Sequence, residues 1–180
     1  FWHGTLSEES VTVKDENISI IHHLTSRGII NSICSKNDHD SVMIELKKMG
    51  VWENFVFNKI SWDPKGPQIK STIKDMNLRA CNVLFIDDDK SNLEEARFYN
   101  KGIYTSTPDK ISYILTHPMI QGNDDLERSR LNQYKLLERK KTIKNNLKIS
   151  NEEFLQSSGI RVNVSDFKYN YLERVADLVE

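Results

Sequence analysis

Apolar residues along this chain fall into short clusters whose spacing switches repeatedly between that of a helix and that of a strand. From Asp15 onward, Ile18, Ile21 and Leu24 recur at helical spacing until Gly28, so a helix capped by Asp15 and stopped by Gly28 is expected. The run Gly28-Ile29-Ile30-Asn31-Ser32-Ile33-Cys34-Ser35 reads as a strand closing on a small hydroxyl residue. Val42, Leu46 and Met49 predict a helix over 39–49 that ends at Gly50, and Phe55-Val56-Phe57 predicts a short strand. Ile69, Ile73 and Met76 give a core-facing stripe to a helix over 67–77. Asn82-Val83-Leu84-Phe85-Ile86 is again a strand; a helix over 92–100 ends near Gly102, and Ile103-Tyr104-Thr105 makes a last strand. This alternation predicts an α/β fold with a doubly wound parallel sheet.

From about Asp109 the pattern changes to long helical segments. Residues 124–148 read as one helix, acidic at its start (Asp124, Asp125, Glu127) and basic toward its end (Arg139, Lys140, Lys141, Lys144, Lys148), as the helix dipole prefers. Ser150-Asn151-Glu152-Glu153 fits a capping box, Ile160-Arg161-Val162-Asn163 a strand, and a helix begins near Asp166. That helix meets no cap or breaker by Glu180 and is expected to continue beyond it. Residues 1–12 read as a hairpin or flap turning at Gly4. The resulting division is an α/β domain over 1–120 and a mostly helical extension over 121–180, with no internal repeat.

The composition narrows the function. A chain of 180 residues with a formal charge of −1 carries no sign of a nucleic-acid or bulk membrane partner. No apolar segment approaches the ~20 residues needed to cross a bilayer. Its two cysteines, Cys34 and Cys81, fall at or beside interior strands and suggest neither a disulfide framework nor a zinc cluster, so reducing cytosol is the expected compartment.

The chemistry concentrates at strand ends. Three consecutive carboxylates, Asp87, Asp88 and Asp89, follow the strand that ends at Ile86. Like charges delivered to the carboxyl edge of a parallel sheet need a cation, and an all-oxygen site favours Mg²⁺. The same acids also fit a solvated turn, with Ser91-Asn92-Leu93-Glu94 as a capping box for the next helix. At the other strand end, Ser35 and the backbone N–H groups around Lys36, Asn37 and Asp38 suit a phosphate. Between them lies Trp62-Asp63-Pro64-Lys65-Gly66-Pro67, a lysine just before a helix with a first-turn proline.

Hydroxyl, lysine and acid pair, in that order on successive strand–helix units, resemble motifs two to four of the haloacid-dehalogenase superfamily of phosphotransferases. The wording of Cys34-Ser35-Lys36-Asn37, Trp62-Asp63-Pro64-Lys65, Phe85-Ile86-Asp87-Asp88 and the opening Phe1-Trp2-His3-Gly4 is similar to one branch, the FkbH-like or subfamily IIIC phosphatase domain. The resemblance implies a Rossmannoid sheet and Mg²⁺-dependent chemistry. It implies that Asp88 ligates Mg²⁺, with Asp87 as a second metal-site acid that supports it or orients Lys65. Ser35, Lys36 and Lys65 would bind the phosphate, with Asp89 starting a helix and Asn92 an outer partner. The superfamily's first motif, Asp-x-Asp-x-Thr at the end of a central strand, would stand immediately before Phe1. The nucleophile and the middle of the sheet are therefore expected upstream, and without them two strand edges would be left unpaired.

In FkbH-like domains, the resemblance implies that a glyceryl unit from 1,3-bisphosphoglycerate is dephosphorylated, held as a thioester on a cysteine, and passed to an acyl carrier protein. Cys34 is the candidate nucleophile, since a thiol beside a lysine, a metal and a helix start would lean toward thiolate. Alternation along the strand also allows Cys34 to be an inert buried residue opposite Ser35. A plain Mg²⁺ phosphatase of small metabolites and an inactive binding module are the competing functions. His3 stands where the family usually has glycine and could act near neutral pH. Of His22 and His23, one should pack and one face solvent. The basic helix end reads as solvated, or as a dock for an acidic carrier.

Overall fold

In a computed structural model, residues 15–147 are described. The chain divides into two compact units, 1–142 and 143–180, and the second falls almost wholly outside the described residues. So do His3, the flap, the second capping box, the strand expected at 160–163 and the helix beyond it.

Helix α1, Asp15–Ser26, ends as its sequence requires: Gly28 takes a φ of +66° and reverses the chain. His22 is half-buried and His23 exposed. Strand β1, Cys34–Ser35, precedes α2, His39–Lys48, whose first turn is capped by the Asp38 carboxylate accepting the Ser41 N–H at 2.9 Å. Strand β2 is Lys59–Ile60, α3 is Lys65–Asp75, β3 is Leu84–Ile86, α4 is Lys90–Tyr99 and β4 is Tyr104–Ser106. A short helix α5, Ile111–Thr116, leads to α6, Ser129–Leu147.

The described strands form two separate parallel pairs, β1 with β2 and β3 with β4, in a mixed α/β arrangement that is mostly helical. Each pair is joined through a helical crossover, as parallel strands require. Among the described residues, β1 and β3 are each paired on one side only.

Three apolar clusters hold these pieces. Ile21, Val42, Leu46, Val51, Phe55 and Ile60 gather α1 and α2 against β2. Ile69, Phe85, Leu93, Ala96 and Ile103 lock α3 and α4 over β3. Val56, Phe57 and Met76 meet Leu131 of α6. Alternation along β1 is visible in this sorting, since Ile33 packs with the first cluster and Cys34 with the second.

Three expected elements differ, each for a physical reason. Phe55-Val56-Phe57 is not a strand: the bridge between Phe55 and Asn31 is isolated, and Phe57 adopts a φ of +53°, outside the β region. The Phe57 N–H is taken instead by the Glu138 carboxylate at 2.6 Å, and the ladder resumes at Lys59. Helix α6 begins at Ser129 rather than near 124, because Arg128 has a φ of +54° and breaks the helix. The Asp125 carboxylate, placed outside the helix, accepts the N–H groups of Ser129 at 2.8 Å and Arg130 at 2.9 Å. Helix α4 is capped by Asp89, not by a box at Ser91. The basic run of α6 is also less free than its sequence suggests, since Lys141 pairs with Asp75 at 3.2 Å.

Leu131 is 4% exposed, so its truncation leaves a cavity in the third cluster. Leu131→Ala should lower unfolding stability by about 2–4 kcal/mol, read from the urea midpoint. A change within about 0.5 kcal/mol, typical of a surface site, would contradict this packing.

Candidate functional site

The carboxyl ends of β1 and β3 carry the residues singled out in the sequence, and Lys65 reaches between them. Helix α3 begins at Lys65, with Pro64 before it and Pro67 in its first turn, where a missing N–H leaves no hydrogen bond unmade. From that position the Lys65 ammonium donates to Asp87 Oδ2 at 2.5 Å, across 22 residues of sequence. The side chains are 12% and 5% exposed, so this is a buried ion pair. Burying two charges is favourable only when their remaining hydrogen-bonding capacity is met. Asp87 Oδ1 accepts the Asn92 side-chain amide and the Asp89 N–H, each at 3.0 Å. The Asp87 N–H in turn donates to the Ser106 carbonyl at 3.1 Å, continuing the β3–β4 ladder.

Asp88 differs from its neighbour in every respect. It is exposed and makes no hydrogen bond or ion pair among the described residues. Asp89 caps α4; hydrogen bonds from Ser91, and then the charges of Lys36 and Lys65, hold its carboxyl below the usual range. Thus the three consecutive acids divide into an ion-pair partner, a free carboxylate and a helix cap. Lys36 is exposed, and the field it exerts on Asp89 brings it to the same edge. The Ser35 hydroxyl is likewise without a partner among the described residues, while the Ser35 carbonyl accepts the Ser61 N–H at 3.1 Å.

The donor set fits Mg²⁺ only in part. Among the described residues no three His, Cys, Asp or Glu side chains gather as a metal-binding group. Mg²⁺ is commonly held by one or two carboxylates together with water and substrate phosphate. Asp88 has the free oxygens for that; Asp87 has both of its oxygens already engaged.

Cys34 lies close enough to the ion pair to feel the charges of both Lys65 and Asp87. Its thiol is 3.9 Å from the Lys65 carbonyl and packs against the cluster of Ile69 and Phe85. Burial pushes the thiol up to about 11, against the opposing pull of the Lys65 charge. The expected lean toward thiolate is therefore reversed in this packing. What the sequence reading did not reach is Asn100, a buried side chain whose amide donates to the Gly66 carbonyl at 3.3 Å. An asparagine just before a helix-ending glycine looks like a stop signal and gives no hint of that contact.

No family model, no curated protein and no solved structure gives a significant match to this chain. The site is thus described by its own geometry, which makes one direct demand on the cysteines. At pH 8 a thiol titrating near 11 is only about one part in a thousand thiolate. Iodoacetamide should therefore modify the exposed Cys81 and spare Cys34 until the protein is unfolded. Cys34 reactivity should climb toward pH 11 rather than level off near 9. Peptide mapping that finds Cys34 labelled first in the folded protein would contradict this environment.

Proposed function

We propose that this chain carries the phosphate-handling side of a Mg²⁺-dependent phosphotransferase of the haloacid-dehalogenase type. The observation that supports the reading is the buried Lys65–Asp87 pair, which holds a cation next to the free carboxylate of Asp88, while the Ser35 hydroxyl at the end of β1 has no partner among the described residues. In this reading the two strand pairs belong to one Rossmannoid sheet, and the resemblance calls for a nucleophilic aspartate at the same edge.

Phosphoryl transfer is mainly positioning plus neutralisation of developing negative charge. Lys65 would face the transferred phosphoryl group with its reach fixed by Asp87. The Ser35 hydroxyl would donate to a phosphoryl oxygen, and Lys36 would add positive charge at the mouth. Asp88 would hold Mg²⁺, which when bound supplies further neutralisation of the phosphate oxygens.

Two acceptors are proposed for the chemistry. Transfer of a glyceryl unit from 1,3-bisphosphoglycerate to an acyl carrier protein follows the FkbH-like resemblance and needs Cys34 as a thiolate. Simple hydrolysis of a small phosphorylated metabolite needs no thiol, and the burial of Cys34 favours it.

The test uses the native protein that carries this chain, with Mg²⁺ and 1,3-bisphosphoglycerate. Phosphate release is expected to fall at least about 100-fold in Asp88→Ala and Lys65→Met. A glyceryl adduct abolished by Cys34→Ala identifies the transferase; release that survives Cys34→Ala identifies the phosphatase. A folded native protein inactive on this and on a panel of small phosphorylated metabolites contradicts the proposal and leaves a binding module.

A further inference from the structure

Two buried asparagines, Asn92 in the first turn of α4 and Asn100 at the cap that follows its last residue, are accounted for by no apolar stripe. They are 8% and 6% exposed. Asn92 donates to Asp87 Oδ1 at 3.0 Å, and Asn100 to the carbonyls of Gly66 at 3.3 Å and Ala96 at 3.0 Å. Gly66 directly follows Lys65. A Cβ on Gly66 would lie 2.6 Å from the Tyr99 ring and 2.9 Å from the Glu95 carbonyl. The start of α3 thus rests against α4 at a distance only glycine permits.

We propose that Asn92 and Asn100 are positioning residues for Lys65, gripping it from both ends. Asn92 acts on the ammonium end by fixing the carboxylate of Asp87. Asn100 acts on the backbone end by holding the Gly66 carbonyl, and with it the first turn of α3. Neither amide is exposed enough to meet a ligand, so both act through Lys65 and neither is a catalytic residue. The inference rests on the phosphotransferase reading only for its consequence in turnover; the geometry of Lys65 is its own readout.

Proton exchange and order of the lysine ammonium groups, followed by ¹H–¹⁵N NMR, test it without a substrate. In the unmodified chain, Lys65 should be restricted and slow to exchange beside the exposed Lys36. Asn92→Leu and Asn100→Leu, which keep the branched heavy-atom skeleton and remove the donor, should each speed Lys65 exchange at least about fivefold. Asn54→Ala is the control, because Asn54 is buried elsewhere and donates to the Val51 carbonyl at 3.2 Å; it should lower stability and leave Lys65 unchanged. Where a leucine variant does not fold, Asn92→Ser and Asn100→Ser carry the same comparison. A Lys65 ammonium as mobile as that of Lys36, or one unmoved by the asparagine variants, overturns the proposal. A Lys65 that responds as expected in a protein without phosphoryl transfer would retire the functional reading and leave the positioning role standing.

Discussion

The ion pair between Lys65 and Asp87 joins two strand ends that no described backbone ladder connects. Asp87 continues from β3, and Lys65 opens the helix that follows β2, so a charge contact adds to the apolar packing of Cys34 and Ile69 with Phe85 between the two parallel pairs. A buried pair of this kind stabilises weakly in net terms but is costly to break from one side, because the partner left behind has no water to turn to. That asymmetry explains the company Asp87 keeps. One oxygen is saturated by the Asn92 amide and the Asp89 N–H, and the other by the ammonium.

Burial then separates residues that adjacent sequence positions would group together. Asp87, Asp88 and Asp89 are consecutive, yet one is locked in an ion pair, one is exposed and free, and one caps a helix. Cys34 and Ser35 are likewise consecutive, and strand alternation sends the thiol into the cluster of Ile69 and Phe85. Being beside a lysine does not make the thiol reactive, since desolvation outweighs the favourable charge and raises its titration to about 11.

Much of this was legible in the sequence wherever a local signal dominates. Helices α1, α2 and α4 follow the apolar spacing and the glycines at positions 28, 50 and 102, all with positive φ. For Asp87 the family resemblance left two roles open, supporting a metal or orienting Lys65, and its ion pair is with Lys65. What stayed hidden depends on partners distant in sequence. The bend at Phe57 requires Glu138, a carboxylate 81 residues away, to take its N–H. The late start of α6 turns on the backbone of Arg128 and on Asp125 serving as a cap rather than a first-turn acid. Asn100 bonds to Gly66 across 34 residues, and no periodicity reports such a contact.

The most direct test of the ion pair as the organising contact is a double-mutant cycle on Lys65→Met and Asp87→Asn, read from urea unfolding. Each single change should destabilise, and the pair should be less destabilised than the sum by about 2–4 kcal/mol, because the double variant leaves no uncompensated buried charge. A coupling within about 0.5 kcal/mol of zero would mean that the two side chains do not depend on each other, and would contradict the account.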